Sequence, residues 1–227
     1  MTKICITGDS WGCGEWGELN GEYQLLHTGL QHYLELDGHT VVNVSGPASS
    51  NLEAYQRLTN LNLDKFDYII VFHTDPCRDY EIHDEYIMFD KTLETYLAKY
   101  KEATTAQLER LNQIGRKIYI IGGDSKLSEA DIAGYNNLQL LIPSVIELLC
   151  PQFKHNFGRN YWLHYLIDNA SENRELINYI YDQWELYDII MKSRDPLITH
   201  FFHPDGGHAN RNGHYEFYKI FKKFIAG

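Results

Sequence analysis

Residues 6–17 read ITGDSWGCGEWG, the end of an apolar run followed by four glycines in ten residues. Three readings compete for it. Gly12-Cys13-Gly14-Glu15-Trp16-Gly17 has the G-x-G-x-x-G spacing of a dinucleotide loop. Gly8-Asp9-Ser10-Trp11-Gly12 has the G-x-S-x-G spacing of a nucleophile elbow. Gly8-Asp9-Ser10 alone also reads as a turn that opens a helix, with Ser10 as its cap. The first reading fails on chemistry. The apolar run ends near Thr7, so Gly12 comes too late to form the turn at the strand end. Trp16 crowds the third glycine, and Asp9 and Glu15 would repel a pyrophosphate. The acidic residue expected after a second strand is absent, since the chain there reads Asn43-Val44-Ser45. No Gly-Lys-Ser/Thr follows either, which removes a P-loop.

Around this stretch the chain alternates. Five apolar runs read as strands: Lys3–Thr7, Thr40–Val44, Tyr68–His73, Lys117–Ile121 and Leu138–Ile142. They are continuous rather than alternating, which predicts strands covered on both faces and hence a parallel sheet. Helical patterns lie between them. Leu19, Tyr23, Leu26, Leu30 and Tyr33 form one stripe. Ser50-Asn51-Leu52-Glu53 has capping-box spacing before a second helix. Phe89, Leu93, Tyr96, Tyr100, Leu108 and Leu111 mark a long third. Ser128 and Ser144 each begin a short one. Ile177, Ile180, Trp184, Tyr187 and Met191 follow at helical spacing, and a last helix spans about Asn212 to Phe224, with Asn210 or Asn212 as its cap. Alternating strands and helices predict a three-layer α/β/α fold. With right-handed crossovers the common five-stranded order is the flavodoxin-like 2-1-3-4-5. The 227 residues suit one domain, 1–227, with an aromatic-rich segment 150–195 as an insertion or cover over one end of the sheet, or as ordinary core.

The composition narrows the partners. A formal net charge of −11 argues against nucleic acid and against anionic membranes. No run approaches the ~18 apolar residues of a membrane span. The N-terminus enters a strand directly, so no signal peptide is expected and the location reads as cytoplasmic. Cys5, Cys13, Cys77 and Cys150 are spaced too widely for a zinc pattern or a small disulfide framework and read as free thiols. His200, His203, Asp205, His208 and His214 likewise fit no zinc-site spacing, so no metal is expected.

In a 2-1-3-4-5 sheet the loops after the first three strands meet at the carboxyl edge, where open α/β sheets bind ligands. They carry Gly8-Asp9-Ser10, Ser45-Gly46-Pro47 and His73-Thr74-Asp75-Pro76. A serine nucleophile needs a base, and the base an orienting group. The stretch HFFHPDGGHANRNGH, residues 200–214, supplies Asp205 and His208 three apart in a glycine-rich loop before the last helix. The order Ser…Asp…His is shared with α/β-hydrolases, but there the elbow follows several strands and here it follows the first.

Gly8-Asp9-Ser10 after the first strand, a glycine after the second and Asp-x-x-His before the last helix together resemble the SGNH/GDSL hydrolase family, over essentially the whole chain. The resemblance implies a flavodoxin-like fold and an esterase, lipase, thioesterase or carbohydrate deacetylase that needs no cofactor. Carried over by position, it makes Ser10 the nucleophile, His208 the general base and Asp205 its orienting carboxylate. The Ser10 and Gly46 N–H groups would form part of the oxyanion hole. One block departs. The family expects Gly-x-Asn-Asp after the third strand, and this chain reads Phe72-His73-Thr74-Asp75. Thr74 stands where the Asn amide should donate, with His73 as the other candidate donor. Asp75 is expected to bond the turn at Pro76 and Arg78, Arg78 to pair with Asp79, and His203 to lie beside the site. Asp9, Trp11 and Cys13 are candidate pocket walls. The implied substrate is a small-molecule or glycan ester, with an acetyl or short acyl group. The altered block also admits a second reading, a glycan-binding or structural protein on this scaffold with little turnover.

Overall fold

The computed structural model describes residues 1–79, 93–123, 126–149, 151, 200–202 and 208–226. Strands form where the apolar runs predicted them: β1 (Lys3–Thr7), β4 (Thr40–Asn43), β5 (Tyr68–His73), β6 (Ile118–Gly122) and β7 (Leu138–Ile142). All neighbours pair in parallel, in the order β4-β1-β5-β6-β7. Leaving aside the hairpin described below, this is the 2-1-3-4-5 order. The three central strands are buried almost throughout, because both their faces are covered.

Two apolar layers flank the sheet. On one face Leu30 and Leu34 of α2 (Leu30–Leu36), Val145, Ile146 and Leu149 of α6 (Val145–Leu149), and Phe217, Tyr218 and Phe221 of α7 (Arg211–Ala226) close over Ile4, Ile6, Ile70 and Phe72. On the other, Leu58 of α3 (Asn51–Thr59), Leu108 and Leu111 of α4 (Leu93–Gln113) and Ile132 of α5 (Glu129–Ile132) close over Cys5, Ile69, Val71, Ile118 and Ile120. The fold is α/β/α in three layers. A capping box forms at Ser50–Glu53, as its spacing predicted, and a second at Ser128–Asp131, where the sequence predicted only a helix start.

One expectation is overturned. The stripe Leu19, Tyr23, Leu26, Leu30, Tyr33 does not form one helix. Glu15–Leu19 (β2) and Glu22–His27 (β3) pair antiparallel, and only Leu30–Leu36 is helical. The reason is the two-residue turn between the strands. Asn20 and Gly21 both take positive φ, 57° and 80°, the backbone of a type I′ turn, which Asn-Gly adopts most readily. The i, i+4 spacing of Leu19 and Tyr23 spans that turn.

The predicted helical residues Ile177 to Met191, with nearly all of segment 150–195, lie outside the described residues, as does Phe89. Among those described, no helix is long and apolar enough to cross a membrane.

Candidate functional site

The loops after β1, β4 and β5 do meet. Gly8 leaves β1 at φ +148°, pressed so close to β5 that a Cβ would lie 2.6 Å from the Phe72 Cβ. Its carbonyl accepts from Gly46 N–H at 3.0 Å and from Arg57 Nη2 at 3.2 Å. Asn43 Nδ2 donates to the Gly12 carbonyl at 2.9 Å, tying the β4 loop to the turn after Ser10. Asp9 then caps the four-residue helix α1 (Ser10–Cys13), its Oδ1 accepting from Trp11 N–H at 3.0 Å. So the helix cap in this stretch is Asp9, and Ser10 is left with its hydroxyl free for another partner.

That partner is His208. Its Nε2 lies 2.9 Å from Ser10 Oγ, across 198 residues of chain. His208 is held from the C-terminal side. Ala209 bridges antiparallel to Phe202, and Asn210 N–H donates to the Phe201 carbonyl at 2.8 Å. Asn210 Oδ1 caps α7, accepting from Asn212 N–H at 2.9 Å and Gly213 N–H at 3.2 Å. Trp11 packs beside the His208 ring and edge-on to Phe202, both at 6.3 Å between centroids. Asp205 and His203 lie outside the described residues.

The third block is built from buried polar groups. Asn51, in the first turn of α3, grips the Thr74 peptide from both sides. Its Oδ1 accepts from Thr74 N–H and its Nδ2 donates to the Thr74 carbonyl, each at 3.0 Å. Thr74 Oγ1 is buried with no hydrogen-bond partner among the described residues, as is Ser45 Oγ after β4. His73 is fully buried at the end of β5, and burial pushes its pKa down to about 4, so it is neutral near pH 7. Alternation places His73 on the face of β5 shared by Ile69 and Val71.

The ion pairs differ from expectation. Arg78 does not pair with Asp79. Arg78 Nη1 reaches Asp9 Oδ2 at 3.3 Å, while Asp79 takes Arg110 at 3.4 Å, Gln107 Nε2 at 2.9 Å and Leu52 N–H at 2.7 Å. The reason is that the 3-10 turn Pro76–Asp79 lies between α1 on one side and α3 and α4 on the other, so its neighbouring charges face different elements. Asp75 lends its carbonyl to Arg78 N–H at 3.1 Å, and Pro76's carbonyl is taken by Gln107. Trp11 and Cys13 are buried. The Cys13 thiol is pushed up to about 11, first by burial and then by the Asp9 charge, so it stays protonated near pH 7. Among the described residues no three His, Cys, Asp or Glu side chains gather as a metal site.

Sequence reasoning did not single out Asn51, Arg57, Trp16 or Tyr23. Trp16 Nε1 donates to the Ser10 carbonyl at 3.2 Å, and Tyr23's hydroxyl lies 2.8 Å from His208 Nδ1.

No family model matches the chain, and no curated protein does. Solved structures do. The chain is similar to a lipase/acylhydrolase from Enterococcus faecalis, at 15% identity and a TM-score of 0.43, over 99% of this chain and 95% of that one. It is similar to a catalytic mutant of an acetylxylan esterase from Geobacillus stearothermophilus, at 15% identity and a TM-score of 0.43, over 100% and 94%. It is similar also to a psychrotrophic esterase from Pseudoalteromonas sp., at 14% identity and a TM-score of 0.43, over 100% of both chains.

Proposed function

We propose that the chain is a serine hydrolase that cleaves a carboxylic ester through an acyl-enzyme on Ser10. The observation that carries this reading is the 2.9 Å contact between Ser10 Oγ and His208 Nε2, at the carboxyl edge of the sheet. His208 Nε2 takes the Ser10 proton as Oγ attacks the ester carbonyl carbon. The tetrahedral intermediate collapses, the C–O bond to the leaving alcohol breaks, and Nε2 returns the proton to that oxygen. A water molecule, deprotonated by Nε2, then attacks the acyl carbon, the bond from that carbon to Oγ breaks, and Nε2 returns the proton to Oγ as the acid leaves. Asp205, supplied by the Asp-x-x-His spacing, is the proposed orienting carboxylate.

The oxyanion needs donors in place before charge develops. Ser10 N–H opens α1, where the first N–H groups of a helix have no partner within it. Thr74 Oγ1 is the second proposed donor, because a buried hydroxyl with no partner among the described residues is costly unless a ligand completes it. Gly46 N–H is committed to the Gly8 carbonyl at rest, so it serves only by sharing that bond. A nucleophile only 9% exposed suits an acetyl or other short acyl group, with a carbohydrate alcohol among the leaving groups. The same committed Gly46 donor and the missing Asn amide favour the second reading, a glycan-binding protein on this scaffold with little turnover.

A fluorophosphonate probe and p-nitrophenyl acetate separate the two. The hydrolase reading expects stoichiometric labelling and turnover, both lost in Ser10→Ala and in His208→Ala. A wild-type chain that takes no label and shows no Ser10-dependent turnover leaves the binding reading standing.

A further inference from the structure

The β2–β3 hairpin has no task in the reaction just described, yet it is anchored around the site. It forms a two-stranded sheet apart from the five-stranded one. A lone hairpin is marginally stable in water, so its anchors decide where it sits. Trp16 Nε1 holds the Ser10 carbonyl at 3.2 Å. Glu15, nearly buried, accepts from Arg211 Nε at 3.0 Å, just beyond His208 in the chain. Tyr23's hydroxyl meets His208 Nδ1 at 2.8 Å. The Trp16 and Tyr23 rings stack, centroids 6.0 Å apart and planes within 20°. Nucleophile and base are therefore joined twice: directly through Oγ and Nε2, and around the back through Trp16 and Tyr23.

The geometry points to Tyr23 as a positioning residue for His208, its hydroxyl oxygen accepting the Nδ1 proton and so turning the Nε2 lone pair toward Ser10. The inference rests on the reading of His208 as the base. A neutral imidazole carries one proton. With that proton on Nδ1, Nε2 can take the Ser10 proton; with it on Nε2, the ring is a donor to Ser10 and cannot. When Nε2 accepts the serine proton both nitrogens become donors. An accepting Tyr23 keeps its bond through that step, whereas a donating one would lose it. A tyrosine hydroxyl carries no counter-charge near neutral pH, so Tyr23 shares the orienting of the ring with the proposed Asp205 carboxylate, which supplies that charge. Among the described residues, His214 on α7 also lies within electrostatic reach of His208, and burial keeps it neutral down to about pH 3, so its charge does not enter the working range; the Arg211 and Glu15 charges nearby pair with each other.

The test compares wild type with Tyr23→Phe. Tyr23 is 52% exposed and Phe keeps the ring on Trp16, so the variant is expected to fold, which its thermal melt checks. Nitrogen-15 spectra of the His208 ring, assigned by their loss in His208→Gln, report the tautomer without any turnover. Wild type is expected to show the Nδ1–H tautomer, and Tyr23→Phe a larger share of the Nε2–H form than wild type. With p-nitrophenyl acetate, kcat is expected to fall roughly fivefold with KM unchanged, the effect of one modest hydrogen bond. The ascending limb of kcat/KM is expected to move to lower pH, because the imidazolium loses an acceptor. An unchanged tautomer and limb, or a limb that moves to higher pH, overturns the proposal. If wild type itself shows no Ser10-dependent turnover, the hydrolase reading fails, and the ring spectra still decide whether Tyr23 orients His208.

Discussion

Asn51 shows how much of the site is held by groups that never touch a substrate. Besides gripping both sides of the Thr74 peptide, its Nδ2 meets Gln107 Oε1 at 3.0 Å. Asn51→Leu would strand a buried N–H, a carbonyl and an amide oxygen. At about 1–3 kcal/mol for each unsatisfied group, a loss of at least about 3 kcal/mol is expected in urea unfolding. Thr74→Val tests the neighbouring hydroxyl by the opposite signature. It removes a buried polar atom that has no partner among the described residues, so stability is expected to hold or rise. If Oγ1 donates to the oxyanion, kcat falls by on the order of tenfold, less than for an amide donor because a threonine arm is shorter. Unchanged kcat in a stable Thr74→Val removes Thr74 from the oxyanion hole. Ser10 and His208, which the structure brings within 2.9 Å, could be named as candidates from the sequence because each sits in a short motif at the end of an element. Asn51, Arg57 and Tyr23 were not, because each acts on a residue tens to hundreds of positions away and no local spacing encodes that meeting.

At the level of elements, two caps separate stability from site geometry. Ser128 and Asp131 close a capping box on α5, with Asp131 Oδ2 accepting from Ser128 N–H at 2.7 Å, far along the chain from the Ser10 and His208 motifs. Ser128→Ala is expected to cost about 1 kcal/mol with kcat/KM unchanged. Asn210 caps α7 and also donates to the His200 and Phe202 carbonyls, at 3.0 and 3.3 Å. Asn210→Ala is expected to cost about 2 kcal/mol or more and to lower kcat as well, since His208 is two residues from the lost cap. Equal kinetic effects from the two variants would show that the cap does not hold His208. Residue type marked Ser128 as a helix start and Asn210 as one of two candidate caps beside Asn212, and the five sheet strands were readable too, since their β-rich apolar runs are too short for buried helices. The β2–β3 hairpin was misread because Leu19, Tyr23 and Leu26 satisfy a helical period by chance. Asn20-Gly21 carried the stronger signal, since its turn geometry admits few other residues.

Across the whole molecule the buried imidazoles set a pH limit. His73 and His214 are both fully buried, and burial lowers them to about 4 and about 3. In the unfolded chain each returns to about 6.5. Between those values the unfolded state binds the extra protons, so stability is fully present above pH 6.5 and drains away as pH falls. From pH 7 to pH 5 each histidine removes about 2 kcal/mol, a large share of an ordinary domain's 5–15 kcal/mol. Asp37 also contributes through a carboxyl lowered by bonds from Tyr218 and Lys222, but its loss begins near its ordinary value of 3.8 and leaves this window clear. Urea unfolding of wild type, His73→Gln and His214→Gln at half-unit steps from pH 5 to 7 should therefore give slopes that differ. Each variant is expected to be shallower than wild type by about 1.4 kcal/mol per pH unit below pH 6, whatever its absolute stability. In wild type the Cε1 proton resonances of both rings should stay at their neutral positions down to pH 5. Parallel slopes, or rings that titrate near 6.5 in the folded protein, would mean that these imidazoles reach water, and the acid limit would then have to come from the carboxylates.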